Sequence, residues 1–250
     1  MDQPDDTQVQ AVAATLDAIP RAAELSRRLA NLPMGRSLAA ALATPVTEPA
    51  DEEIIEATWA FQWFLDRAAD GGLPLTSAGY LRPDDVLGAA AVVPAAAGWI
   101  GAKNREIQTV PVLVFRECLQ HLELLRRHKG SLLPTTRGTG ARVHPRQLWA
   151  VLRESLVPAD GFVRDASVLV LALAADPRQP GSSFDDVAAC LDELGYRHGD
   201  GSPVGHRELI ELDVTTVLDN LGRPARRTRG QWHPSAAALA RAALSMRSTP

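Results

Sequence analysis

The chain has 250 residues, of which 46% are hydrophobic and 22% charged, and this composition excludes wholesale disorder, collagen and fibrous coiled coil. Its two cysteines, Cys118 and Cys190, are too few for a disulfide framework or a cysteine-rich zinc module. The net charge of −4 is distributed unevenly, with −7 over residues 1–80, +5 over residues 81–150 and −2 over residues 151–250. A binding site for a polyanion is therefore expected in the basic middle of the chain or in the arginine run near its end.

No stretch of the sequence is typical of a secretion signal or a membrane span. Residues 1–6 are acidic and polar, whereas a signal peptide starts with a basic segment followed by an apolar one. The longest apolar stretch, residues 86–100, is interrupted by Pro94 and Gly98 and is too short to cross a bilayer. These features predict a cytoplasmic protein that does not enter the membrane.

The first elements are short helices. Residues 7–43 are rich in alanine, leucine and arginine, which favour helix formation. We predict two or three helices there, broken by Pro20 and Pro33. Pro45 and Pro49 then mark a linker.

A second group of elements starts after the linker. Asp51 and the two carboxylates after it suit the first turn of a helix, which we expect to end at Gly71. Residues 73–76 are predicted to be extended, and Pro83 fits the first turn of another helix. The longest amphipathic run, residues 110–128, predicts a single helix.

Basic residues gather around the predicted end of that long helix, where cations are favourable. They are Arg126, Arg127, His128 and Lys129, and Gly130 is expected to close the helix. The elements predicted next are a short strand (131–135), a loop (137–142) and a helix (144–156).

The rest of the chain continues as helices and loops. The almost wholly apolar residues 162–175 predict a core helix, and Ser183 with Asp186 forms a capping box for the next one. The elements predicted after it are a long helix (206–221), a basic loop (223–230), a short strand (Gln231 and Trp232) and a last helix that begins at Pro234.

Two segments echo each other. Residues 75–87 and residues 134–149 both run from a short strand through a Thr-x-x-Gly turn into a helix begun by proline, and residues 231–239 form a weaker third echo. Threonine bonds locally to the backbone in such turns and glycine supplies a positive φ. In a winged helix-turn-helix, the first helices are followed by a long helix, a strand, a loop and a second strand. The predicted elements come in this order.

This order predicts the fold class and the domains. We expect a mainly α protein with tandem winged-helix-like units, which carry short β wings and follow a helical leader. The predicted segments are the leader with its linker (1–50), a first winged-helix-like unit (51–157) and a second one (158–250).

Several motifs also resemble a known group of proteins. They are Leu75-Thr76-Ser77-Ala78-Gly79-Tyr80-Leu81, Asn104-Arg105-Glu106, Leu124-Leu125-Arg126-Arg127-His128-Lys129-Gly130 and Leu148-Trp149. The chain, most clearly its middle, resembles uncharacterised actinobacterial proteins related to a plasmid-borne, mobile-element passenger family. The β-rich portion that usually precedes this region in the family is missing here. The resemblance implies a winged-helix-like region and brings no assigned activity.

A winged helix places its long helix in the major groove of DNA and its wing near phosphates. Arginine suits phosphate because its forked guanidinium is always charged. The predicted phosphate contacts are Arg126, Arg127, Lys129, Arg137 and Arg142 in the first unit and Arg223, Arg226, Arg227 and Arg229 in the second. We therefore predict a non-enzymatic DNA-binding or regulatory protein with duplex DNA as its partner.

Two observations keep an alternative open. The long helices carry carboxylates such as Glu117 and Glu211, which would face the phosphates, and three tryptophans, Trp59, Trp63 and Trp99, suit either a core or an interface. The alternative is a protein-interaction or assembly module of the same fold, with a protein partner or a second copy in place of DNA. The two hypotheses differ on whether the Arg126–Lys129 cluster and the Arg223–Arg229 loop share one exposed face.

Chemistry of other kinds has little support in the sequence. Cys118 and His121 share a helix face, but a zinc site needs two more ligands at a suitable spacing. The sequence contains no G-x-S-x-G, H-E-x-x-H or G-x-x-x-x-G-K-[ST] motif. We therefore predict no catalytic residues, no bound metal and no cofactor.

Overall fold

The computed structural model describes residues 18–101, 104–158, 161–175, 183–225 and 231–245. These residues form thirteen α-helices, two 3-10 helices and one three-stranded sheet, so the described part of the chain is mainly helical, as predicted. None of the helices in these ranges has the length and apolar character that crossing a membrane requires.

The helices in chain order are α1 (Ala18–Arg28), α2 (Pro33–Ala43), α3 (Asp51–Ala57), α4 (Trp59–Ala69), α5 (Pro83–Val92), α6 (Val110–His121), α7 (Thr136–Val143), α8 (Pro145–Ser155), α9 (Gly161–Ala175), α10 (Phe184–Glu193), α11 (His206–Ile210), α12 (Asp213–Asp219) and α13 (Pro234–Leu244). The 3-10 helices between α5 and α6 are Pro94–Ala96 and Glu106–Gln108. The strands are β1 (Leu73–Pro74), β2 (Leu125–His128) and β3 (Ser131–Pro134).

The described residues group into two units, each assembled from segments that are far apart in the sequence. The first unit comprises the described parts of Met1–Glu48, Leu156–Val214 and Ala237–Pro250. The second unit comprises the described parts of Pro49–Ser155 and Thr215–Ala236. The predicted segment 158–250 thus contributes to both units, and the three-part division of the chain into domains stays a prediction.

The second unit contains the sheet and an aromatic core. All strand pairs are antiparallel and the strand order is β1-β3-β2, so Leu132 of the central strand pairs with Leu73 on one side and with Arg127 on the other. Phe61 and Phe64 of α4 contact Phe115 of α6 edge to face, at centroid distances of 4.8 and 5.5 Å. These rings are fully buried and join the helices of the unit.

The helix predicted over residues 110–128 is wrong in its last turns. α6 ends at His121, Glu123 takes a positive φ of 56°, and the chain turns back into β2. Lys129 and Gly130 both have positive φ, at 45° and 77°, which matches a two-residue hairpin turn between β2 and β3. The helix stops because Leu125 is buried through strand pairing, which a helical period does not anticipate.

The loop predicted over residues 137–142 is also wrong, because this stretch is helix α7. The hydroxyl oxygen of Thr135 accepts a hydrogen bond from the Gly138 amide at 2.9 Å and caps the helix. Gly138 lies so close to the chain that an added Cβ would stand 2.0 Å from the carbonyl oxygen of Leu124. Thr135 therefore begins a helix here, and the predicted Thr-x-x-Gly turn is absent from this described segment.

Three other predicted elements differ from the structure. The helix expected from Asp51 is divided into α3 and α4 at Thr58, whose hydroxyl donates to the Ile54 carbonyl at 2.8 Å. The helix predicted over residues 206–221 is likewise divided, into α11 and α12. Gln231 and Trp232 are not in a strand, and the Trp232 indole nitrogen donates to Asp219 at 2.7 Å.

Among the described residues, a turn closed by a single β-bridge occurs once in each unit. Residues 75–81 and residues 197–203 each bring their two ends together in a single antiparallel bridge. Both turns contain two matching backbone hydrogen bonds, between 2.7 and 2.9 Å, and both place a glycine with φ of 82° at the same position, Gly79 and Gly201. A helix follows each turn, α5 in the second unit and α11 in the first.

The first unit is built around α9 and a buried carboxylate. As predicted, α9 is apolar and buried along most of its length, and the Ser183–Asp186 capping box opens α10. Asp165 of α9 is fully buried and accepts hydrogen bonds from three other side chains. The donors and distances are Nε of Arg21 (3.1 Å), the Tyr196 hydroxyl (2.9 Å) and Nε of Arg164 (3.2 Å).

These contacts shift the protonation of the group, which we call the Asp165 clamp (Asp165, Arg21, Tyr196 and Arg164). Burial alone would raise the pKa of Asp165, but the hydrogen bonds from Arg21 and Tyr196 outweigh it and hold that pKa below its usual value. The bond to Asp165 raises the pKa of Arg21, and burial together with the bond to Asp165 raises that of Tyr196. The clamp therefore joins α1, α9 and the turn after α10 while its carboxylate stays ionised.

Candidate nucleic-acid interface

The β2–β3 hairpin presents four basic side chains at the surface of the second unit. Arg126, Arg127, His128 and Lys129 are all exposed, whereas Leu125 at the base of β2 is buried and anchors the strand. Within the described ranges, Arg126, Arg127 and Lys129 make no ion pair. Three positive charges on a hydrogen-bonded hairpin are therefore accessible to an anion.

Arg137 and Arg142, which the sequence also assigned to phosphate, have carboxylate partners within the second unit. Arg137 is 3.4 Å from Glu154 and 3.9 Å from Glu123, and Arg142 is 3.3 Å from Asp66. All of these residues are at least partly accessible to solvent, so each pair is individually weak. Each pair nevertheless places a negative charge beside the arginine, which reduces the positive potential that a phosphate there would experience.

Arg223 has both a carboxylate and an aromatic partner in the second unit. Its Nε donates to both carboxylate oxygens of Glu56, at 2.9 and 3.0 Å, and its guanidinium stands 3.8 Å from the centre of the Trp59 ring. The adjacent Gly222 amide donates to the Ala57 carbonyl at 2.7 Å. Arg223 thus fastens this part of the chain to α3 and α4.

The other three predicted contacts, Arg226, Arg227 and Arg229, lie outside the described residues. Their role in phosphate binding stays a prediction. For the same reason, a common face for the Arg126–Lys129 cluster and the Arg223–Arg229 loop also stays a prediction.

Two exposed cations that the sequence analysis did not select lie in the same unit as the hairpin. Arg82 precedes α5 and Arg105 precedes the 3-10 helix Glu106–Gln108, and neither makes an ion pair in the described part of the chain. Each is an isolated arginine in an irregular segment, so no periodic pattern or charge run marks it. Arg82 and Arg105 can be recognised as candidate binding residues only from where they lie in the folded unit.

A buried ion pair fixes the segment that carries Arg105. One carboxylate oxygen of Glu106 accepts from Nε of Arg116 at 2.8 Å, and the other accepts from the Leu81 amide at 2.7 Å. Glu106 and Arg116 are 1% and 0% exposed, so this pair is shielded from solvent. The bond from the Leu81 amide to Glu106 joins the residue before Arg82 to the residue after Arg105.

Helix α6 offers little for reading base edges. Its only arginine, Arg116, is buried and donates through Nε to Glu106. The two amino nitrogens of Arg116 have no hydrogen-bond partner, and a carboxylate oxygen of Glu117 is 3.6 Å from one of them. Gln120 uses its amide nitrogen on the Arg116 carbonyl at 3.4 Å. The solvent-accessible side chains include the exposed Val110 and the half-exposed, negatively charged Glu117. The carboxylate that the sequence placed on this helix is thus present at its surface.

In the described residues, the potential metal ligands do not cluster and both cysteines are buried. No group of three or more histidine, cysteine, aspartate or glutamate side chains in these ranges is arranged to hold a metal ion. Cys118 and Cys190 are both buried, and burial, with a smaller effect of Asp186 and Glu193, raises the pKa of the Cys190 thiol to about 11. The Cys190 thiol is therefore protonated at neutral pH.

No protein-family model, no curated protein and no solved structure matches this chain. The resemblance to the actinobacterial passenger family therefore stays a prediction that rests on the quoted motifs.

Proposed function

We propose that the protein is a non-enzymatic, duplex-DNA-binding regulatory protein and that its second unit is winged-helix-like. The order α4, β1, α5, α6, β2, β3 and the sheet order β1-β3-β2 support this assignment. In it, α6 takes the place of the long helix and the β2–β3 hairpin that of the wing. The bridged turn shared by residues 75–81 and 197–203 supports a related, second winged-helix-like arrangement in the first unit.

The observation that carries the proposal is the set of exposed, unpaired cations on the hairpin. Arg126, Arg127 and Lys129 project from a short, hydrogen-bonded β-ribbon. Phosphate contacts from such groups supply most of the sequence-independent affinity of proteins for DNA. The cations that sequence reasoning selected elsewhere in the described part of this unit, Arg137, Arg142 and Arg223, are paired with carboxylates.

The test is a fluorescence-anisotropy titration of mixed-sequence duplex DNA with the full chain. Three phosphate contacts give a slope of about −2.7 in a plot of log affinity against log salt, or roughly a 40-fold loss between about 50 and 200 mM. The variant R126A/R127A/K129A should lose most of this affinity and of its salt dependence. The variant R137A/R142A/R223A removes the same charge from paired positions and should bind almost as the wild type does.

Two results would contradict the proposal. One is a wild-type protein that does not bind at about 50 mM salt, where phosphate contacts are strong. The other is an equal loss of affinity in both triple variants, because total charge rather than the hairpin would then control binding. Circular dichroism of each variant checks that it is folded.

The alternative function, a protein-interaction module, is favoured by one surface feature. Ile100, Ile107 and Val110 precede or begin α6 and are 91%, 55% and 44% exposed. Contiguous exposed apolar patches mark interaction sites, and these three side chains lie close together in the sequence. If this module self-associates, light scattering should detect a dimer that Ile100→Glu abolishes, and a monomer at all concentrations would refute self-association.

A further inference from the structure

We propose that Arg82 and Arg105 extend the hairpin site into a cationic strip that holds the backbone of duplex DNA without reading its sequence. The cationic strip is defined as Arg105, Arg82, Arg127 and Lys129. This inference rests on the proposed DNA binding. It adds two binding residues and names the class of DNA target.

The first step is the contact between the hairpin and the bridged turn at residues 76–80. The Leu75 amide donates to the Gly130 carbonyl at 2.8 Å, so the strand before the turn joins the hairpin tip. The guanidinium of Arg127 lies over Gly79, with one amino nitrogen 3.0 Å from where a Cβ of that residue would stand. The turn therefore lies directly beside Arg127.

The second step leads from the turn to the other two arginines. Arg82 comes directly after Leu81, the residue that closes the bridged turn, and the Leu81 amide donates to Glu106 at 2.7 Å. Arg105 is the residue before Glu106, and its carbonyl accepts from the Thr109 hydroxyl at 3.0 Å. The cations at the two ends of the strip are thus connected through the turn and one buried carboxylate.

The third step is the availability of these side chains. All four members of the strip are exposed. None of them makes an ion pair with another described residue. Their charges therefore remain available to phosphate.

The fourth step is the scarcity of groups for base recognition on α6 (Val110–His121). Direct readout needs arginine, lysine, asparagine or glutamine side chains that reach the base edges. On this helix Arg116 is buried, and the Gln120 amide already donates to the backbone. Contacts from the cationic strip to phosphates carry no sequence information, so binding should depend little on base sequence.

The experiment compares R82A/R105A with R137A/R142A, which removes two charges from ion-paired positions of the same unit. Three duplexes are used, one rich in A·T, one rich in G·C and one mixed. Loss of two phosphate contacts should lower the magnitude of the salt slope by about 1.8 and weaken binding by roughly tenfold per arginine at about 50 mM salt. The loss should be equal on all three duplexes, while R137A/R142A keeps the wild-type slope.

The outcomes separate this inference from the proposed function. If the hairpin triple variant loses affinity but R82A/R105A binds as R137A/R142A does, the strip is wrong and the hairpin site stands. If the wild type prefers one duplex by more than about tenfold, the claim of sequence-independent binding is wrong. If the wild type binds no duplex, both proposals fail. Single Arg82→Gln and Arg105→Gln variants keep the long side chains and replace the double variant if it does not fold.

Discussion

Removing the charge of Asp165 should destabilise the first unit more than any change at a surface ion pair. The substitution Asp165→Asn keeps the shape of the side chain but turns one carboxylate oxygen into a donor. That donor would face the guanidinium of Arg21, whose nitrogens now bond to both carboxylate oxygens, and the Tyr196 hydroxyl would lose a charged acceptor. The clamp would then lose its buried negative charge, and Arg21 would keep only the more exposed Glu24, at 3.0 Å, as a counter-charge.

The expected magnitude follows from how deeply each partner is buried. Breaking a buried ion pair by removing one partner costs about 3–5 kcal/mol. The side chains left behind, Arg21 and Arg164, retain 19% and 15% exposure, so water relieves part of the penalty. We therefore expect the lower end, about 3 kcal/mol, and a fall in Tm of roughly 6–12 °C for a chain of this size.

Urea unfolding followed by circular dichroism measures this loss, and the matched control is Glu211→Gln. The Arg207–Glu211 pair of the first unit is 3.2 Å long, but its side chains are 83% and 64% exposed. Its loss should cost less than about 1 kcal/mol. A free energy of unfolding for Asp165→Asn within about 1 kcal/mol of the control would refute the reasoning, since the cited penalty for a broken buried pair would be absent.

The pH dependence gives an independent check. Because the pKa of Asp165 is lower in the folded protein than in the unfolded chain, its stabilisation is complete above the unfolded value of about 3.9. It disappears as the pH falls through the folded value. The stability difference between wild type and Asp165→Asn should therefore be constant from about pH 7 to 5 and shrink below about pH 4. A difference that grows under acid would contradict the ionised state of this carboxylate.

Two further substitutions address the second unit. Glu106→Gln should cost about 3–5 kcal/mol of stability because it removes the buried carboxylate that bonds to buried Arg116 and leaves only the half-exposed Glu117 near that arginine. Thermal melts against Glu117→Gln, which removes the outer carboxylate instead, measure this cost, and equal melting temperatures would contradict it. Gly138→Ala should cost about 1–3 kcal/mol of stability, because its added Cβ would collide with the Leu124 carbonyl. The control is Gly199→Ala, whose Cβ meets no atom within 4 Å. Equal urea midpoints for the two variants would contradict the predicted clash, because the chain around Gly138 would then shift without cost.

Local signals in the sequence predicted helix starts better than helix ends. The helices that begin at Pro83 and Pro234 and the capping box at Ser183 were predicted correctly, because proline geometry and side-chain caps act within one turn. The change from helix to strand after His121 was missed, since it depends on pairing between β2 and β3 and on a turn at Lys129. Such pairing is a tertiary effect that helical periodicity does not encode.

The candidate site could be predicted only in part, because the pairing of charges also depends on contacts between residues that are far apart in the sequence. The sequence identified exposed cations at Arg126, Arg127 and Lys129 because they form a run. It could not show that Arg142 and Arg223 are neutralised by ion pairs, because their carboxylate partners are 76 and 167 residues away in the chain. Electrostatic pairing depends on distance in space, so a charge count along the chain overstates the free positive charge of the second unit.

The interleaved make-up of the two units has a consequence for biosynthesis. Residues 49–155 leave the ribosome as an incomplete second unit, because its remaining segment, residues 215–236, is made 60 residues later. At about 5–20 residues per second that delay lasts roughly 3–12 s. Only after it can the Gly222 amide reach the Ala57 carbonyl and Arg223 cover Trp59. Until then, the part of the second unit around Ala57 and Trp59 is expected to be exposed in the nascent chain. A chaperone would be needed at this stage to protect it from aggregation.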